Sequence, residues 1–271
     1  MIQNTTNSDT TPKPDLIDVL VICWGIVAIV FFAEATWSQW TGKAAYVITE
    51  LVLLFGAWFY LGFRKLPQIR TFRWRRVPRK ALYLFSLMSV SGAVLLDELD
   101  RIIGLAIPLP QAQLEVLQEA FVPVSSIEVL LIILGVVIIA PIVEESLFRG
   151  CIQQALEKKW DVTKAVLTGA LIFALIHIQP WWLIQQLILA VFLGYLSWRW
   201  NSIVPAVLIH ATNNAWSLRN IAGLDNNIFS YYLWGDHVNP IFLVISLLFF
   251  AYSFLISEKV HSALLSEQNN I

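Results

Sequence analysis

Long apolar stretches separated by short polar connections dominate the chain. Eight of them approach the ~20 residues that an α-helix needs to cross a bilayer, and they span 17–33, 45–63, 81–96, 127–148, 163–179, 181–198, 203–218 and 240–256. They are continuously apolar and lack the alternation of transmembrane barrel strands. Because lipid offers no partner to unpaired backbone groups, we expect helices. The pattern predicts an all-α fold, a polytopic membrane helix bundle with about eight transmembrane helices.

Composition agrees with a membrane protein. The 271 residues are 58% hydrophobic and 14% charged, whereas soluble domains are ~45–50% apolar. No internal repeat or long soluble segment is evident, which predicts a single membrane domain over 1–271, with polar tails at 1–15 and 258–271. No basic region precedes the first apolar stretch, so we expect no cleaved signal peptide. Cys23 and Cys151 lack metal-type spacing and are expected to be ordinary apolar side chains.

Positive charge is concentrated in one connection. Eight Lys and Arg residues lie between positions 64 and 80. Cytoplasmic loops carry an excess of such residues, so this connection is predicted to lie inside, with both termini inside and 97–126 outside. We expect a multi-pass integral protein of a prokaryotic plasma membrane with a cytoplasmic N-terminus.

One connection on the predicted outer side has a helical pattern of its own. Leu114, Leu117 and Phe121 recur at helical spacing among polar residues. The segment 111–122 is therefore either a short amphipathic helix on the membrane interface or a solvated loop.

Charged residues interrupt the fourth apolar stretch, where a charge at the membrane centre costs ~2.5–3.5 kcal/mol. The sequence there contains Glu144, Glu145 and Arg149. Glu145 and Arg149 are four residues apart and can pair along one helix face. This interpretation leaves Glu144 without a local cation and available for chemistry.

Two further spans carry polar residues at a similar depth. His177 ends the fifth span, and the seventh has a polar stripe that includes His210 and Asn214. If the fourth and fifth spans form a hairpin around Trp160, Glu144 and His177 lie level, ~16 Å below the cytoplasmic interface at 1.5 Å per residue. The four groups are predicted to converge, although isolated polar residues in membrane helices also serve simply as interhelical hydrogen-bonding groups.

Three short motifs carry a resemblance to a known family. They are Glu144-Glu145-x-x-x-Arg149, Phe173-x-x-x-His177 and His210-x-x-x-Asn214. In this order, over roughly 127–218, they resemble the motifs of the CAAX protease and bacteriocin-processing (CPBP, or Abi) intramembrane peptidases. The resemblance implies an eight-helix bundle that cleaves peptides near the membrane, including prenylated CAAX proteins in the eukaryotic branch.

The resemblance also implies roles for these residues. Glu144 would activate the attacking water with help from His177, and His210 and Asn214 would stabilise the oxyanion. The remaining motif residues would support the site; they are Glu145, Arg149 and Phe173.

The resemblance leaves the use of a metal open. Glu144, His177 and His210 are also a ligand set for Zn²⁺ with water in the fourth position. The family is usually called a metalloprotease, which favours a metal-dependent enzyme. The sequence has no His-Glu-x-x-His motif, so a metal-free mechanism with Glu144 as general base also stays open.

Two other functions compete with the peptidase. One is a non-catalytic membrane protein of the same fold, such as an immunity or scaffold protein, and the other is a proton-coupled transporter. Intact motifs favour catalysis, and inverted repeats typical of many transporters are not evident. The expected partners are a peptide or protein substrate at the membrane and the lipid bilayer, with no nucleic acid.

Overall fold

The computed structural model describes residues 12–221 and 231–269, and nearly all of its regular structure is helical. Eight long helices correspond to the eight predicted spans. They are α1 (Leu16–Phe32), α2 (Ala44–Phe63), α3 (Arg79–Ala106), α5 (Ser126–Lys159), α6 (Val162–Ile176), α7 (Leu183–Trp200), α8 (Val204–Ile221) and α9 (Pro240–Asn269). The all-α prediction is confirmed. In the described part of the chain, four helices are long and apolar enough to cross a membrane, namely α2, α3, α5 and α9. The count of about eight crossings stays a prediction.

The shorter elements lie between these helices. A π-helical turn at Ala33–Trp37 and a helical turn at Ser38–Thr41 follow α1, and another turn, Gln68–Thr71, follows α2. The amphipathic segment is a helix, α4 (Gln111–Phe121), which confirms the helical alternative. Its last residue stacks on Tyr46 of α2 with ring centroids 5.5 Å apart.

A carboxylate at the start of α1 ties that helix to α2. Asp15 and Asp18 form a reciprocal capping box, which satisfies backbone N–H groups that the first turn leaves free. Asp18 is buried and also accepts hydrogen bonds from Tyr60 and Arg64, each at 2.8 Å. Its charge is therefore paired. Residues 1–11 of the predicted N-terminal tail lie outside the described residues.

Helix α3 continues ten residues beyond the predicted end at 96. The acidic residues that end the apolar stretch do not end the helix, because hydrogen bonds from other elements and a nearby arginine compensate them. Buried Asp97 accepts hydrogen bonds from Tyr232 at 2.6 Å and Asn220 at 2.9 Å, and it pairs with Arg101 at 3.4 Å. Polar partners on other elements thus allow a buried carboxylate within α3, at the point where the apolar stretch ends.

A two-stranded antiparallel hairpin, absent from the prediction, precedes α9. Its strands are β1 (Leu233–Trp234) and β2 (His237–Val238). Gly235 has φ 62° in the turn, a left-handed conformation that suits glycine. Glu98 at the end of α3 bonds His237 and the backbone of Val238, which fixes the hairpin to the bundle.

Helix α5 contains two π-helical segments, Ile133–Ile139 and Ser146–Ile152. Between them lies one α-helical stretch, Ala140–Glu145, with Pro141 near its start. Proline has no N–H to donate to the preceding turn, which is consistent with a widened turn before it. Gly135 allows α2 to approach closely, since a Cβ there would lie 2.6 Å from Cβ of Tyr46.

Two apolar cores hold the bundle together. One joins α1, α2, α5 and α6 and includes Leu61, Val143 and Ile152, whereas the other joins α3, α7, α8 and α9 and includes Phe85 and Leu193. Helix α9 packs along α3 and continues beyond 258. Most of the predicted C-terminal tail is therefore the end of this helix, and residues 270–271 lie outside the described residues.

Candidate active site

The α-helical stretch of α5 between its two π-helical segments ends with Glu144 and Glu145. Glu145 is fully buried, and its Oε1 accepts a hydrogen bond from Arg149 at 2.9 Å. Arg149 also donates to the Ala190 carbonyl at 3.2 Å and lies 4.4 Å from the ring centre of Phe173. The pairing predicted from the four-residue spacing is confirmed.

Glu144 lies between two histidines from other helices. Its Oε2 is 3.8 Å from Nε2 of His177, which caps the end of α6, and 3.8 Å from Nε2 of His210 on α8. The structure therefore brings together Glu144, His177 and His210, three of the four residues that were predicted to converge. Glu144 Oε2 is buried and has no hydrogen-bond partner among the described residues.

Hydrogen bonds to the other ring nitrogens fix the histidine tautomers. His177 Nδ1 bonds the Phe173 carbonyl at 2.8 Å, and His210 Nδ1 bonds Glu145 Oε1 at 2.9 Å. A carbonyl can only accept, and Glu145 paired with Arg149 is an ionised acceptor, so both Nδ1 atoms carry the proton. In its neutral form, each ring then presents a lone pair at Nε2. Three acceptor atoms face one another, and a proton, a water or a metal cation between them would relieve their repulsion.

Phe173 supports both histidines. Its ring centroid lies 4.5 Å from that of His177 and 5.8 Å from that of His210, and Phe148 packs edge-on against it at 4.9 Å. Arg149 lies over the same ring, so the aromatic side chain contacts both the buried cation and the two histidines. This position agrees with the supporting place that the motif gives it.

Asn214 lines the same cavity from α8 but does not contact Glu144. Its Nδ2 donates to the backbone carbonyl of Val136 at 3.0 Å, within the first π-helical segment of α5. One amide hydrogen is thus occupied in holding α8 against α5. Asn214 retains a second amide hydrogen for a ligand.

A cavity of about 770 Å³ adjoins these residues. Its wall includes several polar side chains that the sequence reasoning did not assign to the site: Glu50, Asp100, Trp182, Gln185 and Gln186. The sequence could have indicated Glu50 as a candidate site residue, because it is the only Asp, Glu, Lys or Arg between positions 44 and 63. Asp100 could not, because only the fold brings the end of α3 to this cavity.

The donor set can be compared with a zinc site. Glu144 supplies a carboxylate, and His177 and His210 supply neutral Nε2 atoms whose Nδ1–H groups are bonded, an arrangement typical of metal-binding histidines. The 3.8 Å separations exceed the ~3.4 Å between ligands of a tetrahedral zinc with ~2.1 Å bonds. Accordingly, no set of three His, Cys, Asp or Glu in the described ranges is arranged to hold a metal. The three side chains are of the chemical types that bind zinc. To bind one ion at zinc's usual bond lengths, Glu144 Oε2 and the histidine Nε2 atoms would have to move closer together by a few tenths of an ångström. The zinc site stays a prediction.

Comparison with known proteins adds one match. Residues 126–216, about a third of the chain, match the family model of Rce1-like type II CAAX prenyl endopeptidases. The matched segment contains all three motifs and the three converging residues. No curated protein and no solved structure gives a significant match to the chain. The resemblance seen in the motifs is confirmed: this apolar, helical chain is an integral membrane protein whose segment 126–216 is similar to the Rce1-like type II CAAX prenyl endopeptidases.

Proposed function

We propose that the protein is an intramembrane endopeptidase that hydrolyses peptide bonds of membrane-associated substrates. The observation that carries the proposal is the position of Glu144, with a buried, unpartnered Oε2 between two imidazoles at the edge of a large cavity. A carboxylate in such a place can hold a water and take its proton. The family of the matched segment supports the same reaction class.

In the proposed reaction, a water bonded to Glu144 attacks the carbonyl carbon of the scissile peptide. Glu144 accepts the water proton as the new C–O bond forms, and the carbonyl becomes an oxyanion. When the tetrahedral intermediate collapses, the C–N bond breaks and Glu144 returns the proton to the leaving amine. His177 would hold the water from its other side through its Nε2 lone pair.

His210 would stabilise the oxyanion only as an imidazolium, because its Nδ1 proton is already given to Glu145. In that form Nε2 would donate a hydrogen bond to the oxyanion. Such a donor in a dry site lowers the activation barrier by ~2.7–4 kcal/mol. Asn214 would donate its remaining amide hydrogen to the same oxygen.

A zinc-dependent version uses the same residues. Glu144, His177 and His210 would hold the ion, which would supply a polarised water and a Lewis acid for the carbonyl. Glu145 and the Phe173 carbonyl would orient the two imidazoles. In this version Nε2 of His210 would bind the zinc, so the ring would carry a proton only on Nδ1.

The test of the peptidase compares membranes that contain the wild type with membranes that contain Glu144→Gln. New peptide N-termini are mapped by mass spectrometry, and we expect the set produced by the wild type to disappear in the variant, with the protein accumulating equally. The matched control is Glu115→Gln, the same change at an exposed position of α4 outside the cavity lining, which should keep the wild-type set. Identical sets in wild type and Glu144→Gln would contradict the proposal and favour the non-catalytic alternative.

Elemental analysis of the purified chain separates the two versions. Zinc near one per chain in the wild type, and its loss in His177→Ala and His210→Ala, would support the zinc version. Full activity in a preparation free of zinc and other transition metals would contradict it. The metal-free version, with Glu144 as base, would then account for the activity.

A further inference from the structure

Glu50 places a second carboxylate on the wall of the active-site cavity. It lies within α2, where every other residue between 44 and 63 is uncharged. Its side chain lines the cavity together with Glu144. Its Oε2 is buried and has no hydrogen-bond partner among the described residues. A carboxylate so placed is costly unless a proton or a cationic ligand compensates its charge.

The described lining of the cavity contains acidic groups and no Lys or Arg. The carboxylates are Glu50, Asp100 and Glu144. The chain segments outside the described ranges contain no Lys or Arg either. The cations next to the described lining are already engaged. Arg149 pairs with Glu145 and Arg101 pairs with Asp97, whereas Lys43 donates to backbone carbonyls at the end of α4 and Arg219 donates to Asn220. The lining residues of the described cavity that can carry a full charge at neutral pH, apart from the histidines, are therefore all acidic.

The unpartnered polar atoms of the cavity are all acceptors. In the described structure, the buried lining atoms without a hydrogen bond are Glu50 Oε2, Glu144 Oε2 and Gln186 Oε1. Reserving Glu144 for the attacking water leaves Glu50 and Gln186 for the substrate. An ammonium or guanidinium group has only donors and carries the missing charge. A carboxylate has only acceptors and would meet like charges.

We infer that the cavity binds a basic side chain of the substrate peptide and that Glu50 is the residue that selects it. The inference rests on the proposed endopeptidase function and adds a specificity to it. Gln186 accepts a further hydrogen bond from the same group. Asp100 also lies on the cavity wall, where its carboxylate adds negative charge. Peptides that present a free carboxylate to this cavity bind more weakly.

The experiment measures binding without cleavage. The Glu144→Gln chain, purified whole in detergent, removes the proposed base and one predicted zinc ligand. Its probes are dansyl-labelled leucine pentapeptide amides with either lysine or norleucine at the centre, and a free-acid form of the norleucine peptide. We expect the lysine peptide to bind at least about tenfold more tightly than the norleucine amide, and the free acid to bind more weakly than its amide.

Added substitutions at Glu50 test the selecting residue. With Glu50→Gln the preference for lysine should fall to near onefold, whereas Glu50→Asp, which keeps the charge, should retain part of it. The matched control Glu115→Gln should leave the preference unchanged. Because the assay measures binding and not hydrolysis, its outcome does not depend on whether the protein cleaves peptides. Equal binding of the two amides, no saturable binding of either, or a preference that persists in Glu50→Gln would overturn the inference.

Discussion

Replacement of Arg149 by methionine tests how much the buried ion pair contributes to stability. Arg149 is 2% exposed and Glu145 0% exposed, and their atoms lie 2.9 Å apart. Arg149→Met keeps an apolar side chain over the Phe173 ring but leaves Glu145 buried with only His210 as a donor. Breaking one partner of a buried pair typically costs ~3–5 kcal/mol, because the remaining charge loses its compensation.

This free energy converts to a large change in thermal stability. At ~2–4 °C per kcal/mol, the melting midpoint should fall by about 6–20 °C. The matched control is Arg199→Met, which removes Arg199 from its 2.8 Å pair with Glu258, where the side chains are 21% and 25% exposed. Such partly solvated pairs contribute ~0–1 kcal/mol, so the control should lose at most about 4 °C.

A fluorogenic maleimide can follow the transition through Cys151. This thiol is 1% exposed in the core and lies two residues from Arg149. Cys23 is the one other cysteine of the chain, and a Cys23→Ser background makes the signal specific for Cys151.

The double variant Glu145→Met with Arg149→Met adds a second comparison. It should recover much of the stability, because neither charge remains buried alone, but it should stay inactive, because His210 loses its carboxylate partner. A midpoint for Arg149→Met no lower than for Arg199→Met would refute the reasoning.

Three further predictions concern other parts of the molecule. A cysteine at Gln68 should not react with an impermeant reagent applied outside intact cells, because the basic connection is predicted to be cytoplasmic. Labelling at this position would show that the predicted orientation is wrong. Gly135→Ala should lower the melting midpoint by an amount equivalent to ~1–3 kcal/mol, since the new methyl meets Tyr46 Cβ at 2.6 Å, and an unchanged midpoint would contradict that close approach. Burial and the hydrogen bond to Asp97 raise the pKa of Tyr232, so stability should fall as pH rises above ~10, where the unfolded tyrosine ionises. Melting scans between pH 8 and 11 should show a smaller fall for Tyr232→Phe than for the wild type, and equal falls would contradict this origin.

The sequence allowed the helices and the convergence of the site to be predicted because both depend on local spacing. Continuous apolar stretches located all eight long helices, and the four-residue spacing predicted the pair of Glu145 and Arg149. Counting residues from a polar turn was enough to bring Glu144 level with His177. Each step needed only the rise and periodicity of an α-helix.

Features that depend on distant contacts were not predictable in this way. The end of α3 was placed too early because the partners of Asp97, such as Tyr232, lie more than a hundred residues away. The contact of Asn214 with Val136 depends on a backbone carbonyl in a π-helical segment, and hydrogen-bond register leaves no mark in the side-chain pattern. Glu50 was visible as a lone charge, but nothing local indicated that it faces the same cavity as Glu144.

The π-helical segments of α5 have a consequence for changes in chain length. A π-helical turn holds one residue more than the α-helical turn it replaces, so Ile133–Ile139 sets the angular phase between the outer part of α5 and the turn that carries Glu144. Deleting a single residue such as Ile138 would let this segment close as an α-helix and rotate one part against the other by about 100°. Val136 could then no longer meet Asn214 while Glu144 faces His177. Within 133–139, conservative replacements at positions other than Gly135 should therefore be tolerated far better than any insertion or deletion, because the number of residues matters more there than their identity.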